Sequence, residues 1–166
     1  MKFISTKNNL LSNLEGALFN PIPIKDSLWL PNNIEKLPID FFNNLHNMSF
    51  KEISLTIATQ LIGDELPKEK LKNIIDECFD FEIPLIKISN NLHILELFHG
   101  PTLTFKDIGA KFMSKIIQYF VDKKKIDIIV STSGDTGSAV ADAFYDIPNI
   151  KVHILYPKNK ISKIQE

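Results

Sequence analysis

The chain has 166 residues, nineteen Lys and no Arg against twenty Asp and Glu, and a formal net charge of -1. That balance gives no electrostatic basis for a nucleic acid or an anionic membrane as partner, and 44% hydrophobic with 23% charged residues is a globular composition able to build a core. One cysteine, Cys78, excludes a disulfide within the chain and predicts a reducing compartment, the cytoplasm.

"MKFISTKNNL" lacks the apolar centre and small-residue cleavage site of a signal peptide. No run reaches the roughly 18 apolar residues of a membrane span. Without Arg, any anion site must use Lys, backbone N–H groups or hydroxyls. No metal site is read in the sequence.

In chain order, "KFIST" predicts a short edge strand. "SNLEGALFN" predicts a helix opened by Ser12, with Glu15 at capping-box spacing, and closed before Pro21. The prolines of "NPIPIKDSLWLP" require an extended or looped path. Ser49 predicts the cap of a helix carrying Ile53, Ile57, Leu61 and Ile62 at helical spacing, with Gly63 ending it. "LPKEKLKNIIDECFDF" predicts another helix, with Pro67 in its first turn and Leu71, Ile74, Ile75 and Cys78 on its apolar side. Cys78 reads as a small core residue. The first unit, residues 1–83, is therefore predicted to be mostly helical.

From residue 84 the pattern changes. "LHILELF" (92–98) is a short apolar strand. After Lys106, a stripe of Ile108, Phe112, Met113, Ile116, Ile117 and Phe120 predicts a helix. "IDIIVST" (126–132) is a continuous β-branched run, the mark of a parallel strand covered on both faces. "SGDTG" and a helix of small residues follow, then the strand "IKVHILYP". This alternation predicts an α/β fold, residues 84–166 being the start of a parallel-sheet domain with too few strands for a covered sheet.

Two stretches carry chemistry. "STSGDTG" runs from a buried strand into a helix, so its N–H groups and hydroxyls face the carboxyl end of the sheet, where a carboxylate or phosphate can bind. A well-capped turn, with Asp135 or Thr136 as cap, explains the same residues. The stretch matches neither a phosphate loop ending in Gly-Lys-Ser/Thr nor GxGxxG, so no nucleoside triphosphate or dinucleotide is indicated. Lys106 also follows a strand and starts a helix. The helix field, with burial behind Phe105, would favour a nucleophilic amine, whereas a solvated surface lysine is the plain alternative. Together, an amine and an anion loop on one crevice would suit a Schiff-base aldehyde cofactor.

"ELFHGPTLTFKDIGAKFM" and "STSGDTGSAV" closely resemble the signature segments of threonine synthase, a fold-type II pyridoxal-phosphate enzyme. "MKFIST", "SLWLP" and "YPKNKISKIQE" are similar to that family too, so the resemblance spans the chain. It implies that Lys106 holds pyridoxal 5'-phosphate as a Schiff base. It also implies that Ser133, Gly134, Asp135, Thr136 and Gly137 grip the substrate carboxylate, Asp135 lying near the cofactor's ring hydroxyl. The implied reaction turns O-phospho-L-homoserine and water into L-threonine and phosphate. Lys158, Asn159 and Lys160 are either phosphate ligands or solvated surface. Thr104 stands where the family commonly has Ala. The family's Gly-rich cofactor-phosphate loop has no match here, since Gly137 is the last glycine, so the chain is expected to be inactive alone. A non-catalytic remnant, one half of a split enzyme, and an unrelated α/β anion-binding module are the alternative readings.

Overall fold

The computed structural model describes residues 2–166. The chain divides into two compact units, the first running through Asp76 and the second from Glu77 to Glu166.

The first unit joins a small sheet to four helices. Strand β1 (Phe3–Ser5) pairs antiparallel with β2 (Leu11–Ser12) and with β3 (Trp29–Pro31). The order is β2-β1-β3, so β1 is the central strand rather than the edge strand expected. Helix α1 (Leu14–Phe19) is capped by Asn13, whose side chain accepts the Gly16 N–H at 2.8 Å. Ser12, the expected cap, is engaged in β2, because strand pairing has moved the helix start one residue on. A short helix α2 (Ile39–Asn44) and a 3-10 turn at Leu45–Asn47 precede α3 (Phe50–Ile62).

The start and stop signals of α3 are those read from sequence. Ser49 and Glu52 form a reciprocal capping box, and Gly63 closes the helix at φ 64°. Helix α4 (Lys68–Cys78) buries Leu71, Ile74, Ile75 and Cys78, all four expected positions. Pro67 lies just before it, its carbonyl accepting the Leu71 N–H.

In the second unit, β4 (Leu85–Ser89) and β5 (Leu92–Leu95) form an antiparallel hairpin turning at Asn90 and Asn91. The strand expected at 92–98 therefore exists but belongs to this hairpin and not to the parallel sheet. Its partner β4 escaped the sequence reading. Helix α5 (Lys106–Val121) follows, then β6 (Ile126–Ser131), α6 (Asp135–Ala143) and β7 (Ile150–Leu155).

Strands β6 and β7 pair in parallel from Ile126↔Ile150 to Ser131↔Leu155, the βαβ arrangement expected. Helix α6 packs on both strands and on α5. Cover on both faces is not found. Burial alternates along both strands, and Ile129 and Leu155 are 69% and 57% exposed on the open face. The buried side of α5 is also rotated from the expected stripe. Asp107, Ala110, Ser114, Ile117 and Val121 lie inward with Ile116, while Met113 faces out. Small Ala and Ser at this face allow α6, itself rich in small residues, to approach closely.

Candidate functional site

The site is built at the carboxyl end of β6 and the amino termini of two helices. Strand β6 ends at Ser131. Thr132 then turns its hydroxyl back, accepting the N–H groups of Gly134 at 3.0 Å and Gly137 at 3.2 Å. Gly134, not Asp135 or Thr136, is the cap residue of α6, and its φ of 147° is a conformation reserved for glycine. A Cβ on Gly137 would come within 2.6 Å of Thr132 Cγ2 and 3.0 Å of Ile154 Cγ2, so only glycine lets α6 lie this close to the strands. Ser138 N–H reaches Gly134 O. Among the described residues, the N–H groups of Asp135 and Thr136 have no protein acceptor within hydrogen-bond geometry. Ser133, Asp135 and Thr136 are exposed, while Gly134 and Gly137 are buried. A short arc of free donors at a helix N-terminus, flanked by hydroxyls, can take a carboxylate.

Lys106 opens α5 opposite this loop. Its Nζ lies 3.8 Å from the Asp135 carboxylate. An ion pair this open contributes little to stability, but it places the amine and the loop in one crevice, although the strand before Lys106 belongs to the hairpin and is not a neighbour of β6. The burial expected behind Phe105 is not found. Phe105 is itself 61% exposed, and the Lys106 amine sits 4.4 Å from its ring centroid in a cation–π contact. The lysine side chain is 30% exposed. Beside it opens a cavity of about 490 Å³ whose walls are almost wholly apolar, among them Ile108, Met113, Ala139 and Val140, with Thr136 at its rim.

The turn leading into Lys106 is wound on Asp107. Thr102 donates its amide at 2.9 Å and its hydroxyl to that carboxylate. A Cβ on Gly100 would overlap it. Leu103 is held at φ 59°, a left-handed conformation costing a bulky residue roughly 1–2 kcal/mol. Thr104 uses its hydroxyl to accept the Lys106 N–H at 3.2 Å, which gives a role to that departure from the commoner Ala.

Thr132 was read only as one of the loop's hydroxyls, and its inward turn onto Gly134 and Gly137 was not; two other contributors were missed. Asp107 read only as an ordinary acidic residue in a first turn. Gln165, which donates to Asp135 Oδ1 at 2.8 Å, had no sequence signal at all. Lys158, Asn159 and Lys160 are exposed, and Asn159 sits in a turn at φ 60°. Cys78 is fully buried, and burial pushes its thiol up to about 12, against a small opposing pull from Lys115. It is a core residue, as expected.

Residues 2–79 match the family described as Threonine synthase N terminus. Threonine synthase of Escherichia coli (strain K12) is 41% identical over 139 residues, covering 84% of this chain and 32% of that protein. The crystal structure of threonine synthase from Escherichia coli superposes with a TM-score of 0.92 at 36% identity, over 100% of this chain and 39% of that one. The chain matches the amino-terminal portion of these threonine synthases. A PLP-bound threonine synthase from Brucella melitensis superposes with a TM-score of 0.91 at 29% identity, over 99% of this chain and 37% of that one. The chain thus spans about a third of the length of the threonine synthases it matches.

An aldehyde cofactor of the pyridoxal type needs an amine, an apolar slot for its ring and donors for anionic groups. Lys106, the cavity beside it and the donors at the start of α6 fit the first two needs and a substrate carboxylate. No glycine follows Gly137 to make a second close-approach loop for a phosphate within these residues.

Proposed function

We propose that this chain supplies the lysine and the carboxylate loop of a threonine synthase acting in the cytoplasm. The reaction converts O-phospho-L-homoserine and water to L-threonine and phosphate, the last step of threonine biosynthesis. In this reading residues 1–83 are the amino-terminal domain and 84–166 open the cofactor domain. Lys106 holds pyridoxal 5'-phosphate, which when bound supplies an electron sink for charge developing at the substrate's α-carbon. The observation that carries the reading is the 3.8 Å approach of Lys106 Nζ to Asp135 beside an apolar cavity, with the free N–H groups of α6 on the same side.

The residues divide the work by chemistry. Ser133, Thr136 and the N–H groups of Asp135 and Thr136 take the substrate carboxylate and fix the α-carbon above the amine. Gly134 and Gly137 let the backbone come close. Asp135, next to the amine, would lie near the cofactor's ring hydroxyl. With the cofactor bound, the Lys106 amine would be the acid/base, taking the protons lost from the α- and β-carbons and returning one at the α-carbon and one at the γ-carbon that loses phosphate, while water supplies the hydroxyl at the β-carbon. The flexible stem and partial exposure of Lys106 give it that reach. The apolar wall of Ile108, Met113 and Val140 keeps water from the ring face.

The test is a site map. The purified chain is incubated with pyridoxal 5'-phosphate, reduced with borohydride and mapped by mass spectrometry. Lys106 should carry most of the label among the nineteen lysines, and Lys106→Ala should lose the absorbance band of the adduct. Label spread evenly over the lysines would sink the proposal. The 166 residues alone are expected to release no phosphate from O-phosphohomoserine, lacking an anchor for the cofactor phosphate.

A further inference from the structure

Asp107 is 1% exposed, and among the described residues it is the only buried charged side chain. No cation pairs with it among those residues. A buried carboxylate without a counter-ion is expensive unless hydrogen bonds fill its lone pairs. Both its oxygens are spent on a single residue of the turn before Lys106, Oδ2 on the Thr102 amide and Oδ1 on the Thr102 hydroxyl. The rest of the turn closes around the same group. Gly100 packs against the carboxylate, Leu103 N–H reaches Gly100 O at 3.1 Å, and Asp107 N–H reaches Thr104 O at 3.2 Å.

An acidic residue that only complemented the field of α5 could do so from solvent, since that effect needs no burial. The position of Asp107 instead makes sense as a clamp. It fixes residues 100–105, including the left-handed Leu103, and so fixes the point from which the adjacent Lys106 side chain leaves the backbone. We propose that Asp107 is a positioning residue for Lys106, acting through Thr102 to aim the amine at Asp135 and the loop at the start of α6. This rests on the reading of Lys106 given above.

The experiment compares wild type with Thr102→Val, Thr102→Ser and Asp107→Asn, all in the full chain. Two amine probes are used: pyridoxal 5'-phosphate with borohydride, and a neutral acylating reagent. Labelling is read at Lys106 and, as internal controls on the same helix, at Lys111 and Lys115. Thr102→Val, which keeps shape but removes the hydroxyl, should change the acylation rate of Lys106 and lower its share of pyridoxal label by about tenfold. Lys111 and Lys115 should stay unchanged. Thr102→Ser should restore the wild-type pattern, and Asp107→Asn should resemble the valine variant. The inference is overturned if the valine variant keeps wild-type reactivity at Lys106 by both probes, or if all three lysines change together, as general loosening of the helix would produce. If wild type shows no pyridoxal preference for Lys106, the functional reading fails. The acylation comparison still decides the clamp.

Discussion

At the scale of single residues, Cys78 and Lys106 show how far a sequence signal reaches. Cys78 lay on the apolar side of a periodic segment, and it is buried there, its thiol held up to about 12 mainly by desolvation. The sign of the resulting pH dependence is fixed. In the unfolded chain the thiol ionises near its ordinary 9.0, while the folded protein keeps the proton until about 12. The folded state therefore binds more protons in that window, and stability falls as pH rises through it. Between pH 8 and pH 10 the loss should be about 1 kcal/mol, read as the change in urea midpoint relative to Cys78→Ala. Identical pH profiles for the two proteins would refute the assignment. Lys106 was legible as a lysine at a strand-to-helix junction. Its surroundings were not, because they depend on Asp107, Thr102 and Gln165, whose roles come from how the chain returns on itself rather than from local pattern.

Among the secondary elements, those with start and stop chemistry were the readable ones. Helices α3 and α4 fall where capping residues, Gly63 and apolar spacing put them. The capping box of α3 predicts that Ser49→Ala lowers stability by about 1 kcal/mol, measurable in urea unfolding. Glu52, held below the usual carboxylate range by its hydrogen bonds to Ser49, should lose that advantage as pH falls through the carboxylate range, and the Ser49→Ala variant should show less of this loss. Where partner choice decides the element, the reading slipped. Ser12 had a cap's identity but was taken by β2, and "LHIL" had a strand's identity but paired with "LIKIS". The Asn pair between those two runs was the available hairpin signal. The inward side of α5 also slipped, since Ala110 and Ser114 are chosen by the helix they meet and not by hydrophobicity.

Across the whole molecule, the α/β order was legible because alternating strand and helix periods leave few topologies. What could not be read was how much of that fold stays open. The two-stranded β6–β7 sheet has only one face covered by α6, and the β4–β5 hairpin displays Leu85, Ile88 and Leu92. Unpaired strand edges beside exposed apolar side chains favour association. The chain should therefore self-associate as concentration rises. Ile129→Lys with Leu155→Lys should shift that onset at least severalfold upward in light scattering, without changing the far-ultraviolet circular dichroism. An onset unchanged by the pair would place the sticky surface elsewhere.

The parallel pairing of β6 with β7 also orders events in time. Partners across it are 24 residues apart, from Ile126↔Ile150 onward, whereas the β4–β5 hairpin closes over Asn90 and Asn91. Short loops close first, and a parallel pair must wait for its crossover helix. The loop between β6 and α6 should thus be completed late in folding, with the arrival of β7. Amide exchange should reflect this: an anion seated on that loop would slow exchange in β6, α6 and β7, while the hairpin would exchange as before.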